Sequence, residues 1–144
     1  MWSEDELIAT AGVVVVDGDR VLLIEHGKGA GHVTGAWGIP AGAIDEGETA
    51  RVAASRELTE ETGIRVDTDT LVELPALYEA RLARKRGTTR FSLRAFATGS
   101  YEGELTPSSE GVPRWVRVDE VAQLPLLLGN TAEIVEVAVE MLSR

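Results

Sequence analysis

At 144 residues the chain is long enough to bury a core and fits one domain spanning 1–144. A hydrophobic fraction of 44% and a mean hydropathy of −0.01 are those of a soluble globular protein, and no apolar run reaches the roughly 18 to 20 residues that span a bilayer. The net charge of −10 opposes nonspecific binding to nucleic acid, and the lack of cysteine excludes disulfides and thiolate chemistry; any metal would be a hard cation held by oxygen or by the 2 histidines. The acidic start, Met1 to Glu6, is unlike a secretory signal, so a cytoplasmic location is expected.

Ala9 to Val16 is small and β-branched, Asp17, Gly18 and Asp19 carry turn chemistry, and Val21 to Ile24 resumes an apolar run. Together these predict a buried hairpin. Gly27 to Gly35 is rich in glycine and reads as a mobile loop bordering a ligand, followed by a short extended segment, Trp37 to Gly42. From Glu48 to Thr62 there is neither Gly nor Pro, Thr49 can cap the start and Gly63 stands where a C-terminal cap belongs, which predicts the strongest helix. Thr70 to Tyr78 and Phe91 to Thr98 read as strands joined through Arg81, Arg84, Lys85, Arg86 and Arg90, a basic cluster expected at a solvated hairpin tip. Arg114 to Val118 is a further strand, and Asn130 and Thr131 open a second helix reaching about Leu142. Strands on both sides of one strong helix, with another helix at the end, predict an α/β (α+β) fold in which helices sandwich a mixed central sheet.

The chemistry lies in the first helix. Glu57, Glu60 and Glu61 are three and four residues apart and share one arc of its surface, where like charges oppose helix formation and the dipole of the last turn disfavours anions. Ala50, Ala53 and Ala54 continue the stripe backward, so the carboxylates emerge from a face able to pack closely. One reading is a solvated acidic face with Arg56 paired to Glu60. The other is a site for Mg²⁺ or Mn²⁺, which prefer carboxylate oxygen and keep waters that phosphates can replace.

The surrounding residues favour the second. Gly42, five residues, Glu48, seven residues, then Arg56-Glu57-Leu58-Thr59-Glu60-Glu61-Thr62-Gly63-Ile64 resembles the signature of the Nudix hydrolases at every defined position, and Trp37-Gly38-Ile39-Pro40 resembles the approach to it. Ala41 departs from the pattern, since many relatives carry a second glycine there. The resemblance implies a Nudix-type α/β/α sandwich, with Glu57 and Glu61 as principal metal ligands, Glu60 an additional or water-mediated ligand and the Gly42 carbonyl a further donor. It implies that Arg56 orients the glutamates and that Glu48 meets Arg56 at the loop-to-helix junction. Glu110 stands where many such enzymes supply a distal glutamate that binds metal or acts as base. The base would then be Glu60 or Glu110, with water as the nucleophile.

The expected activity is divalent-metal-dependent hydrolysis of a nucleoside diphosphate linked to another group, foremost a nucleoside triphosphate, oxidised or not, cut to the monophosphate and pyrophosphate. ADP-ribose, nucleotide-sugar and dinucleoside polyphosphate hydrolysis are the alternatives, and a non-catalytic nucleotide-sensing module is the reading of another class. Tyr78 and Trp37 are the candidate substrate-binding aromatics, while Phe96 and Trp115 read as core. His26 and His32 bracket the glycine-rich loop and could touch phosphate, but isolated loop histidines read first as solvated. The expected partner is a small nucleotide, with no stable nucleic-acid partner and no membrane. Leu124, Leu126, Leu127 and Leu128 leave monomer and homodimer both open.

Overall fold

The apolar run at 11–16 forms the middle of strand β1 (Leu7–Asp17), which turns at Gly18 and Asp19 into β2 (Arg20–His26). Val16 pairs with Val21 and Asp17 with Arg20, so the connection is the tight hairpin expected of its turn residues, with Gly18 at φ 62°. The computed structural model describes residues 7–85 and 87–144. The acidic N-terminal segment with Trp2, and Arg86 of the basic cluster, lie outside the described residues.

β1 is central. It runs parallel to β6 (Gly87–Thr98), from Leu7 opposite Arg90 to Val15 opposite Thr98, and antiparallel to the short β4 (Ala41–Ala43). β2 carries β3 (Trp37–Gly38) and β7 (Gly111–Arg117), and β5 (Val72–Arg84) closes the far edge against β6. One parallel pairing among antiparallel ones makes a mixed seven-stranded sheet. Ala11, Val13 and Val15 pack on one face with Ala53, Ala54 and Leu58 of helix α1 (Ala50–Thr62). Val14, Val21 and Leu23 pack on the other with Ile134, Val135 and Ala138 of helix α2 (Thr131–Leu142). A strand covered on both faces must be apolar at successive positions, which explains the unbroken run in β1. The expected sandwich is present.

Two expectations change. β5 and β6 extend well past the predicted strands, pairing Arg81 with Arg90 and Arg84 with Gly87, so these arginines lie on paired backbone rather than on a loose tip. The Arg84 guanidinium lies 5.4 Å from the Phe91 ring centroid, a cation–π contact directed inward. The leucine run after Pro125 is mostly an internal edge: the Trp37 N–H donates to the Leu126 carbonyl at 3.0 Å and the Leu128 N–H to the Trp37 carbonyl at 2.8 Å. Leu124 and Leu127 pack against the core, and Leu126 is the exposed member. At the sheet edge, the pairing of β5 shifts register between Glu73 and Leu77, around Pro75, which has no N–H to offer a ladder.

Candidate active site

The position of the acidic cluster is fixed by the ends of α1. The Thr49 side chain accepts from the Val52 N–H at 3.2 Å, and Gly63, at φ 86°, donates its N–H to the Thr59 carbonyl at 2.9 Å. Between these caps, the alanine face lies flat on β1, and Glu57 and Glu61, one turn apart, line a cavity of about 290 Å³. Gly42 of β4 lines it too. A Cβ at Gly42 would overlap the Glu57 carboxylate, so glycine is what lets that carboxylate lie against β4.

Glu61 is only 4% exposed, and its Oε1 accepts from the Ala41 N–H at 2.8 Å. Glu57 is held from the side by Arg56, whose Nη1 donates to Glu57 Oε1 at 3.0 Å. Arg56 is itself clamped. Its Nε and Nη2 donate to the two carboxylate oxygens of Glu48 at 2.7 and 2.8 Å, and Nη2 also donates to the Ala43 carbonyl at 3.1 Å. This bidentate pair holds the Glu48 carboxyl down at about 2 and raises the Arg56 guanidinium. The arrangement expected for Glu48 and Arg56 is therefore built, and Glu57 is its beneficiary.

Glu110 enters from the loop before β7 and lines the same cavity. Its carbonyl accepts from the Gly27 N–H at 3.0 Å, tying that loop to the glycine-rich one. Burial first, then the charges of Glu57 and Glu110, push the Glu61 carboxyl up to about 9, and burial raises Glu57 as well. Carboxylates so placed cannot all ionise without a counter-charge. Oxygen donors converging under that constraint fit a hard divalent cation, so Glu57, Glu61 and Glu110 would hold one, with Gly42 beside them.

Glu60 stands apart. Its side chain is 57% exposed, bonds only Arg56 Nη1, at 3.2 and 3.3 Å, and does not line the cavity. The solvated-face reading describes its surroundings in this structure, paired to Arg56 and away from the cavity carboxylates. The arc that joined three glutamates in the sequence is split by the sheet, which covers Glu61 and leaves Glu60 to solvent. Of the two aromatics, Tyr78 lines the cavity, and burial raises its hydroxyl. Trp37 does not: it is packed into the core on the α2 side of the sheet, because its neighbour Gly38 is the residue of β3 that faces the cavity.

The histidines are the residues whose surroundings differ most from the solvated loop expected from the sequence. Both line the cavity, with ring centroids 4.9 Å apart, and neither is solvated. His26 is 5% exposed, its Nδ1 lies 2.8 Å from the Ala36 carbonyl, and burial lowers its pKa. His32 is lowered to about 4 by burial, His26 and Arg84, and its buried Nδ1 has no partner. The alternation Leu22, Ile24, His26 along β2 was the available signal. Arg84, reaching in from the long hairpin, completes the polar wall.

A NUDIX domain model matches residues 6–137. The chain belongs to the Nudix family. Over 109 residues it is 35% identical to the oxidized purine nucleoside triphosphate hydrolase of Danio rerio, covering 76% of this chain and 65% of that protein. Over 116 residues it is 33% identical to a MutT-like protein of Streptomyces ambofaciens, covering 81% and 67% respectively. The matched stretch thus spans about two-thirds of the length of these curated Nudix relatives. Among solved structures, the MutT protein of Methanosarcina mazei Go1 superposes with a TM-score of 0.78 at 17% identity, covering 99% of this chain and all of that one, a likeness of fold. A MutT Nudix hydrolase from Burkholderia pseudomallei gives 0.76 at 23% identity, over 92% and 98%.

Proposed function

We propose that this Nudix domain hydrolyses a phosphoanhydride bond in a nucleoside diphosphate derivative, foremost a nucleoside triphosphate. Water enters at phosphorus, and the monophosphate, pyrophosphate and one proton leave. The observation that carries the reading is the convergence of Glu57, Glu61 and Glu110 on one side of a cavity whose other walls include Tyr78, Phe91, Leu93 and Leu128. One side suits a cation and phosphates, and the other suits the flat apolar faces of a nucleobase. The names of relatives such as the Danio rerio hydrolase and a putative 8-oxo-dGTP diphosphatase of Mycobacterium tuberculosis, 32% identical over 120 residues, support a triphosphate.

A bound Mg²⁺ or Mn²⁺ would supply the positive charge that offsets the diphosphate and eases proton loss from the attacking water. The chain's residues do the rest. Glu110 takes that proton on a carboxylate oxygen, being the cavity carboxylate carried by a loop rather than by the helix. Arg56 keeps the Glu57 carboxylate turned toward Gly42, and Arg84, beside the two histidines in the cavity lining, meets a phosphate oxygen. Tyr78 and Phe91 flank the base and keep water from it.

The test is turnover of purified protein with Mg²⁺ or Mn²⁺ across canonical and oxidised nucleoside triphosphates, ADP-ribose, nucleotide sugars and dinucleoside polyphosphates. Glu57→Gln and Glu61→Gln are expected to lose at least about a hundredfold in rate on the preferred class. A Glu61→Gln protein with near-normal turnover overturns the assignment, and preference for ADP-ribose over triphosphates overturns the substrate.

A further inference from the structure

We propose that His26 is a nitrogen ligand of the metal site, making it a mixed imidazole–carboxylate centre that favours transition-metal divalent ions over Mg²⁺. The inference rests on the metal-dependent reading above and adds a donor that the acidic signature does not contain. One ligand atom each from His26, Glu61 and Glu110 lie within 4.8 Å of one another, close enough for a single cation to meet all three. The backbone dictates this meeting. His26 is the last residue of β2 and pairs with Gly111, the first of β7, so Glu110 is delivered beside the imidazole by sheet register.

The ring is also oriented for the task. A carbonyl can only accept, so the Nδ1 that lies 2.8 Å from the Ala36 oxygen carries the hydrogen, and Nε2 carries the lone pair. A backbone carbonyl behind the far nitrogen is the usual support of a metal-binding imidazole, because it sets both tautomer and ring direction. The backbone that carries the ring is itself anchored: the His26 N–H donates to the same Ala36 oxygen at 2.8 Å, and the His26 carbonyl accepts from the Gly35 N–H at 2.8 Å. It is buried and lines the cavity beside Glu61 and Glu110. Imidazole is a softer donor than carboxylate. Adding one strengthens binding along the series Mn²⁺, Fe²⁺, Co²⁺, Ni²⁺ and does little for Mg²⁺, which takes oxygen ligands and water.

The experiment is pulsed EPR on the full chain loaded with Mn²⁺, which reads the ligand nuclei directly and needs no turnover. The chain has 2 histidines, so His32→Gln leaves His26 as the only imidazole. Nitrogen-14 modulation of a bound imidazole is expected in the wild type and in His32→Gln, and is expected to vanish in His26→Gln. Calorimetry on His26→Gln should show Co²⁺ affinity reduced about 10- to 100-fold, with Mg²⁺ affinity changed far less. Mn²⁺ bound without nitrogen modulation overturns the role of His26 and leaves the carboxylate site standing. Failure of Mn²⁺ to bind overturns both. Should His26→Gln not fold, modulation present or absent in His32→Gln decides alone.

Discussion

The residue that concentrates the conflict in this protein is Glu61. Its carboxyl ionises near the ordinary 4.5 in an unfolded chain and near 9 in the folded, metal-free one, so the folded state binds the extra proton between those values. The stability this contributes is full below 4.5 and is lost as pH rises toward 9. Gln at this position keeps an oxygen for the Ala41 N–H and carries no charge. Glu61→Gln is therefore expected to melt higher than wild type in chelator at pH 8 and equally at pH 4, while being inactive; equal melting at both pH values overturns the account. Gly42→Ala makes a complementary case, since its added methyl displaces the Glu57 carboxylate. It should weaken divalent-ion binding by calorimetry while leaving far-ultraviolet circular dichroism unchanged. That Glu57 and Glu61 share one helix face was legible in the sequence because four-residue spacing on a helix is a local fact, while their choice over Glu60 came from the resemblance. The exposure of Glu60 was not legible, because helical spacing says which residues are neighbours, not where the sheet's shadow falls. The placement of His26 and Arg84 in the site was invisible because long-range pairing brings them in, and pairing partners are not written in local spacing.

At the scale of elements, α1 acts as a ruler whose two ends set the position of the carboxylates. Gly63 is the stricter end. Its φ of 86° is left-handed, and a Cβ there would also crowd the Thr106 hydroxyl and the Glu104 carbonyl. Gly63→Ala should cost roughly 1–3 kcal/mol or more in denaturant titration. Thr49→Ala should cost about 1 kcal/mol, and Thr49→Asp much less, because Asp can accept the same N–H. Equal effects of Ala and Asp would show that the cap bond is not the cause. Helix and hairpin were both foreseeable, since caps and turn residues act within a few positions. The reach of β5 and β6 was not, because polar residues such as Arg81 and Arg90 gave no alternation to read, and cross-strand pairing sustains them there instead.

At the scale of the whole molecule, a cation bound in the cavity would tie together elements remote in sequence: α1 through Glu57 and Glu61, and the loop before β7 through Glu110. A ligand that binds only the folded chain adds stability in proportion to the logarithm of its concentration, about 2.7 kcal/mol at a hundred times its dissociation constant. Melting temperature should therefore climb with added Mn²⁺, more at pH 8 than at pH 5 where protons compete for the carboxylates; a melting point indifferent to the ion at both pH values would sink the site. The parallel pairing of β1 with β6 has a consequence for the order of events on the ribosome. β1 is made before the other strands, and its partner strand, Gly87–Thr98, is made only after the entire signature helix has been synthesised. During that interval the valines of β1 have a hairpin partner in β2 but no β6, and the acidic helix has no finished floor to stand on. Glu110 and α2 arrive later still. A polypeptide arrested before Thr98 would thus present sticky, unpaired strand edges to chaperones rather than a sheet able to seat the acidic helix.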